Sequence, residues 1–327
     1  MNILVIKDNK PGHYNQSEGL VLSLREIYKN INVEYVQAEI TTSLRREILR
    51  RFLNFFPFLF KKEFSKKFIP FFYKKFSFPQ KKPDIIISTG GNCSNLNVWF
   101  KYLYNAKNIL NGNLRGLKCF HFDIVTTVID LGCKNQIILD VAPTTVRFCN
   151  QKEENLYALL IGGNGSGYIY DKNFFVNLAN FVKNVSKKEN IKWLITTSRR
   201  TKIEYEEFLY EELKDYSEEF VAYNKNPKPV VKEFLCKSKK VFVTEESASM
   251  ISEAIASKKQ VYTLKPKIVK YDKKYTPVLE KFEKDKKICR IDMDNPKMCE
   301  TFNLIEDEVY KLIAQKLKAV LRGKNDL

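Results

Sequence analysis

Apolar residues fall along the chain in two alternating patterns. Short, nearly uninterrupted runs occur at 3–6, 33–36, 84–88, 124–128, 137–141, 156–161, 193–197, 241–244 and 261–264. Between them the apolar positions take helical spacing over 16–28, 96–103, 174–185, 205–213, 231–236 and 250–257. Continuous apolar strands alternating with helices predict parallel sheets covered on both faces. The expected fold class is α/β, with two Rossmann-like domains facing across a cleft. The alternation restarts at the polar stretch near Glu153–Asn155, shortly after Pro143. Domains are therefore expected over 1–152 and 153–302. A last helical pattern, Leu304 to Leu321, lies within 303–327 and is placed to cross back to the first domain.

In open parallel sheets ligands bind beyond the carboxyl ends of the strands, so the loops after strands come first. The first runs Lys7-Asp8-Asn9-Lys10-Pro11-Gly12-His13-Tyr14-Asn15-Gln16, and another is Thr89-Gly90-Gly91-Asn92. In the second half come Gly162-Gly163-Asn164-Gly165-Ser166-Gly167 and Thr196-Thr197-Ser198-Arg199-Arg200-Thr201. A further strand turns through Glu245, Glu246 and Ser247 straight into a helix that carries Ser249 and Glu253. Glycines let successive N–H groups converge on a diphosphate, arginines bring forked donors, and a helix start adds free amides and its positive dipole end. Glu253 sits where a ribose hydroxyl is reached one turn in. Any one of these loops is equally an ordinary turn or helix cap. Three of them after three strands of one half favour a nucleotide site. The glycine run is neither a Walker loop nor G-x-G-x-x-G.

The chain has 327 residues, 44% hydrophobic and 29% charged, which excludes wholesale disorder and is enough for two cores. Its two histidines are His13 and His121. His13, in a Pro-Gly-His turn with Asn15 and Glu18 at capping-box spacing, suits a general base oriented by Asp8; a ring bonded to a nearby carbonyl fits equally. His121 reads as part of a strand interior or its edge. Seven cysteines with no C-x-x-C pair read as reduced residues of a cytosolic core. With so few imidazoles no metal is expected, and Asp292-Met293-Asp294 reads as a turn. The start, Met1–Ile6, is a first strand and not a signal peptide.

The formal net charge is +18, and its excess is local: twelve basic and two acidic residues lie between Arg45 and Lys82. The stretch 44–82 also holds eleven phenylalanines, and its longest uncharged run is the nine residues Phe52 to Phe60. That is well short of the roughly 20 apolar residues a spanning helix needs. Mixed Phe/Leu and Arg/Lys clusters suit a segment lying in the interface of an anionic membrane, rings among acyl chains and cations among headgroups. A basic helix pair in an ordinary fold is the alternative. The stretch carries no RNA-binding signature, so no nucleic-acid partner is expected.

Four motifs in order, Pro11–Ser17, Ile161–Gly163, Thr196–Thr201 and Val243–Ala254, resemble the signatures of the mitochondrial-fission "elongated mitochondria" family, whose bacterial members are regarded as glycosyltransferases of GT-B architecture. The turn at 162–167 is also similar to the Gly-Gly-Ser-x-Gly turn of the enzyme that adds N-acetylglucosamine to lipid-linked muramyl pentapeptide. That resemblance implies a nucleotide-sugar donor in the second domain and a lipid-linked acceptor at the first. Where the family tends to show Pro-x-His-Asp, this chain has Thr127-Val128-Ile129-Asp130, so that histidine's role has no carrier here.

The expectation is a metal-independent glycosyltransferase without a cofactor, peripheral on the cytoplasmic face of a bacterial membrane. Its donor phosphates fall to Gly162, Gly163, Asn164, Gly165, Ser166, Ser198, Arg199, Arg200, Glu246, Ser247 and Ser249, and a sugar or ribose hydroxyl to Glu253. The acceptor side has Gly12, Asn15, Gln16, Gly90, Gly91 and Asn92, with His13 and Asp8 as catalytic groups. A non-enzymatic membrane adaptor and a nucleotide-sugar 2-epimerase are the alternatives.

Overall fold

The computed structural model describes residues 1–151, 153 and 155–322, without the side chain of Arg322. The expected domain break at 152/153 and the end of the 303–327 segment thus fall partly outside the described residues. The chain forms two compact units, Met1–Thr145 with Val309–Leu327, and Val146–Glu308.

The first unit is a parallel sheet of β1 (Asn2–Lys7), β2 (Asn32–Gln37), β3 (Ile85–Thr89), β4 (Lys107–Asn111), β5 (Ile124–Thr127) and β6 (Gln136–Ile138), in the order β2-β1-β3-β4-β5-β6. Central β1 and β3 are covered on both faces, which is why Ile3–Ile6 and Ile85–Ile87 are uninterrupted apolar runs. β4 escapes the pattern because two of its buried positions are polar. Asn108 donates to Asn97 Oδ1 (2.7 Å) and Asn111 donates to Gln16 Oε1 (2.9 Å). The run expected at 137–141 ends as strand at Ile138.

Helices α1 (Pro11–Arg25), α2 (Ser43–Phe55) and α3 (Gly91–Tyr104) complete this unit's main elements. α1 opens at Pro11, where proline's missing N–H costs nothing. Asn15 and Glu18 therefore lie inside the helix and form no capping box; Glu18 instead accepts from the Tyr35 hydroxyl (3.2 Å). The basic, phenylalanine-rich stretch is amphipathic. Thr42 caps α2 by accepting from Arg45 N (3.1 Å), and 3-10 turns follow over Pro57–Lys61 and Glu63–Phe68. Leu49, Leu53, Phe60, Ile69 and Tyr73 join the core around Trp99, whose ring meets Phe60 edge-on at 4.9 Å. Leu44 and Phe55 are 69% and 67% exposed, and Phe52, Phe58 and Phe68 also face solvent. Among the described residues no helix is long and apolar enough to cross a membrane.

His121 lies in a 3-10 turn, Cys119–His121, and not in a strand. It is fully buried, bonded through Nδ1 to the Tyr102 hydroxyl (2.8 Å) and through Nε2 to Asn54 Oδ1 (3.1 Å). Burial, with the nearby Lys101 and Lys118 charges, lowers its pKa from 6.5 to about 4. The ring is neutral, with Nε2–H donating to Asn54.

The second unit is a parallel sheet of β7 (Leu156–Leu160), β8 (Lys192–Thr196), β9 (Ser217–Val221), β10 (Lys240–Thr244), β11 (Gln260–Lys265) and β12 (Cys289–Asp292), ordered β9-β8-β7-β10-β11-β12. Its helices are α4 (Lys172–Glu189), α5 (Ile203–Leu213), α6 (Val231–Lys237), α7 (Ala248–Ala256) and α8 (Thr276–Lys284). Trp193, Phe242, Tyr157 and Tyr262 form its aromatic core, the rings of Phe242 and Tyr262 stacked at 4.8 Å. β9 has no apolar run to betray it, since it is a partly exposed edge strand of sequence Ser-Glu-Glu-Phe-Val. The C-terminal helix α9 (Val309–Arg322) begins five residues after Leu304, packs on α1, and reaches the carbonyl of Ile138 through Lys316 Nζ (3.0 Å).

Six of the seven cysteines are joined, as Cys119–Cys133, Cys149–Cys236 and Cys289–Cys299, while Cys93 is free and buried. This corrects the expectation of reduced core thiols. The partners lie 14, 87 and 10 residues apart, and strand pairing and loop closure bring them together in a way that spacing does not reveal.

Candidate functional site

In the second unit the strand order is 3-2-1-4-5-6, so the winding reverses between β7 and β10. The glycine loop follows β7 and Glu245–Ser247 follows β10, so both leave the carboxyl ends of adjacent strands. They are bonded together: Gly162 N donates to Thr244 Oγ1 (2.7 Å), Gly163 N to Glu246 Oε1 (3.1 Å), and Ser166 Oγ to the Glu246 carbonyl (3.1 Å). A Cβ on Gly162 would stand 1.6 Å from Glu246 Oε1, and one on Gly163 2.1 Å from the Arg200 carbonyl oxygen. Only glycine fits either position.

Thr201 brings the third loop in, donating to the Gly162 carbonyl (2.6 Å) and accepting from Ser198 N (3.0 Å). Arg200 Nη2 donates to Glu246 Oε1 (2.7 Å). The Glu246 carboxylate is fully buried and needs a cation and donors around it. Two groups expected on a phosphate, the Gly163 N–H and one arm of Arg200, are therefore committed to Glu246, and Glu246 itself organises the loops from beneath. Asn164 is also spent within the turn, accepting from Tyr170 N (2.8 Å), and Gly165 closes the turn by exchanging backbone bonds with Tyr168.

Other donors remain. Arg199 is exposed and has no partner among the described residues. Ser247 occupies the N-cap of α7, but its hydroxyl meets Ser249 Oγ (3.3 Å) in place of a helix amide, so the first amides of α7 carry no side-chain cap. Glu253, on the second turn of α7, is 9% exposed and engaged within the protein. Beneath the site Arg290 grips Glu245 with both arms, Nε to Oε1 (2.8 Å) and Nη2 to Oε2 (2.9 Å), and Thr263 donates to the same carboxylate (2.9 Å). The Glu245 bond drives the Arg290 pKa further upward, so this clamp stays charged.

In the first unit the winding reverses between β1 and β3. Asp8 follows β1, and His13 stands in the first turn of α1 with Nδ1 at 3.0 and 3.2 Å from the two Asp8 oxygens. Lys10 N also donates to Asp8 Oδ1 (3.1 Å). Burial pushes the Asp8 carboxyl up, but the His13 hydrogen bond and charge outweigh it and hold the group below its ordinary value. An ionised Asp8 accepts from Nδ1–H and so presents Nε2 as the basic nitrogen. Gly90, at φ +85°, lies against the ring: a Cβ there would come within 2.4 Å of Nδ1.

The remaining acceptor-side residues divide. Gly12 is in the same turn as His13, and Gly91 opens α3 beneath the side chain of Arg115. Gln16 is tied to Asn111 and Asn92 accepts from Arg46 Nη1 (3.3 Å), so these two hold strand and helix ends together; Asn15 is likewise engaged within the protein. Sequence reasoning passed over Thr244, Thr201 as a brace, Arg290 and Arg115. Thr201 stands inside the quoted motif, whereas Arg290 and Arg115 have no local signal.

The family profile described as mitochondrial fission ELM1 matches residues 133–315, more than half of the chain. The chain belongs to the mitochondrial fission ELM1 family. The match takes in the glycine loop, Ser198–Thr201 and Glu245–Ala254, while Pro11–Ser17 lies ahead of it. No curated protein matches the sequence. Solved structures do match along nearly the whole length. The UDP-GlcNAc 2-epimerase of Methanocaldococcus jannaschii aligns with a TM-score of 0.55 at 11% identity, over 98% of this chain and 100% of that one. The glycotransferase of kitacinnamycin aligns at 0.51 and 10% identity, over 98% and 94%. UGT71G1 of Medicago truncatula, solved with UDP-glucose, aligns at 0.50 and 10% identity, over 98% and 94%. At such identities the likeness shows the fold, and that fold is the paired Rossmann-like GT-B architecture.

Proposed function

We propose that this ELM1-family protein is a metal-independent glycosyltransferase that moves a sugar from a nucleotide-activated donor to a lipid-linked or cell-envelope glycan acceptor at a membrane face. The observation that carries the reading is the meeting of the glycine loop with the uncapped start of α7 at the switch point of the second sheet. Free first-turn amides, the hydroxyls of Ser247 and Ser249, and the Arg199 guanidinium supply the charge and donors that a departing nucleoside diphosphate needs. Glu246, Arg200, Thr244 and Thr201 keep the loops in place. Glu253, expected at a sugar or ribose hydroxyl, would have to give up its contact within the protein to reach one. In the first unit Asp8 orients His13 to take the acceptor's proton through Nε2.

The exposed Leu44, Phe52, Phe55, Phe58 and Phe68 among the lysines and arginines of 44–82 support docking to an anionic membrane, each cation near the surface adding about 1 kcal/mol. Placement at the cytoplasmic face carries a condition: in a reducing compartment the three cysteine pairs stand open. Thiol counting under denaturing conditions, on protein isolated with its thiols blocked, should then give seven free cysteines. One free cysteine would move the protein to an oxidising compartment.

The test of function is thermal unfolding with UDP, GDP, CDP, CMP and ADP and their sugars, with and without EDTA. Saturation at 100 times Kd stabilises by about 2.7 kcal/mol. A selective, EDTA-insensitive response to one nucleotide is expected. Silence across the panel together with binding to anionic vesicles would leave the adaptor reading, and conversion of a donor sugar to its 2-epimer without any acceptor would leave the epimerase reading.

A further inference from the structure

A concavity lies in the Val146–Glu308 unit, along α4. It is a groove of about 850 Å³, within the size range of small-molecule sites. It reaches Lys240 and Gln260, the first residues of β10 and β11, and so extends to the end of the sheet opposite the glycine loop. A smaller hollow of about 340 Å³ shares Asn177, Met293 and Asp294 with it, which makes the whole elongated.

One wall is α4, which presents Asn177, Asn180 and Asn184 at i, i+3 and i+7, a single helix face. The opposite wall is the segment 293–300. Whether or not Cys289 and Cys299 are joined, it is held by the Tyr262 hydroxyl on the Cys299 carbonyl (3.1 Å) and by Asn177 Nδ2 on Asp294 Oδ1 (3.3 Å). Both walls are thus held in place before anything binds, which lowers the cost of binding.

The groove's chemistry differs from the rest of the chain. The amides of Asn180, Asn184 and Gln260 have no partner among the described residues, and each offers two donors and an acceptor. A sugar hydroxyl is itself both donor and acceptor, so side-chain amides match it from either side. Phe181, Val185 and Met298 add apolar surface for the C–H faces of a pyranose. Lys240 is neutralised by Glu189 at 2.8 Å, and the lining also holds Lys188, Asp294 and Glu300. In a protein of net charge +18 this groove is close to neutral, which disfavours phosphates and nucleic acids there.

We propose that this groove is a second binding site, for a neutral oligosaccharide, separate from the glycine-loop site. The proposal needs no transferase activity. It is tested on the full-length protein by titration calorimetry and saturation-transfer NMR with chitotetraose, maltotetraose, cellotetraose and mannotetraose. Saturable binding of at least one is expected. It should weaken at least tenfold in Asn180→Ala/Asn184→Ala, two exposed helix positions where alanine favours the fold, with Tm and any nucleotide response unchanged. Gln260→Ala should weaken it as well. Absence of saturable binding by all four, or undiminished binding in the double variant, would overturn the proposal.

Discussion

The two units place loops at equivalent points, the reversal of strand order in a parallel sheet, yet equip them differently. At β7/β10 the polar groups are largely spent on one another: Glu246 takes Arg200 and the Gly163 N–H, and Glu245 takes Arg290 and Thr263. At β1/β3 there is a single imidazole on a single carboxylate, packed against a glycine. Pre-paired buried charges give a rigid frame whose spare amides and one free guanidinium suit holding an anion without rearrangement. A lone histidine with a committed Nδ1 suits moving a proton. On the proposed reading, the difference gives binding to one switch point and proton transfer to the other.

That division is broken most sharply at His13. His13→Gln should lower transfer by about a hundredfold or more, the usual worth of a positioned base, while leaving the nucleotide-induced thermal shift intact. Loss of nucleotide binding in this variant would show that the two roles are not separate. Gly162→Ala should do the reverse. Its Cβ would stand 1.6 Å from Glu246 Oε1, so the carboxylate must leave the Gly163 N–H and Arg200. A stability loss of about 1–3 kcal/mol and disappearance of the nucleotide response are expected, read by denaturant and thermal unfolding. Wild-type nucleotide affinity in Gly162→Ala would show that Glu246 does not frame the site.

The same contrast explains what could be read in advance. Both sheets were legible because their central strands are covered on both faces and therefore continuous in apolar residues, as Ile85–Ile87 and Leu156–Leu160 show. β4 and β9 were hidden, one by buried asparagines and the other by an exposed edge. Loop positions followed from strand ends, so the glycine loop, Ser198–Thr201 and Glu245–Ser249 were expected at one end of the sheet, where hydrogen bonds join the three loops. Which donor goes to which acceptor was not legible, because Glu246 and Arg200 are 46 residues apart and a carboxylate that binds the loop looks, in sequence, like one that binds a ligand. The pairing of Cys149 with Cys236 was hidden for the same reason.

The other imidazole of the first unit gives a pH test. The unfolded chain accepts a proton on His121 near pH 6.5, whereas the folded chain refuses it until about pH 4. More protons are then bound in the unfolded state across that window, so stability rises with pH there and is lost as pH falls from 6.5 to 4, by on the order of 3 kcal/mol. Asp8 acts in a lower window: held below its ordinary 3.8, its contribution is present above that value and lost only beneath it. Urea unfolding at pH 7, 5 and 4 should show the His121 loss, and His121→Gln should flatten that slope. A slope unchanged by the substitution would mean that other groups carry it.

The smallest expected effect is at Arg199. Arg200 is bound to Glu246, so of the two neighbouring arginines only Arg199 is free to move toward an incoming phosphate. Arg199→Ala removes an exposed side chain with no partner among the described residues, so Tm in the absence of ligand should not change. Nucleotide affinity should fall about tenfold, the worth of one charge-assisted hydrogen bond, and more at low ionic strength than at high. Arg200→Ala should instead destabilise the free protein, because it strands the buried Glu246 carboxylate. If the two substitutions exchanged these signatures, Arg200 would have to leave Glu246 when ligand binds, and the rigid frame attributed to the second switch point would be a movable one.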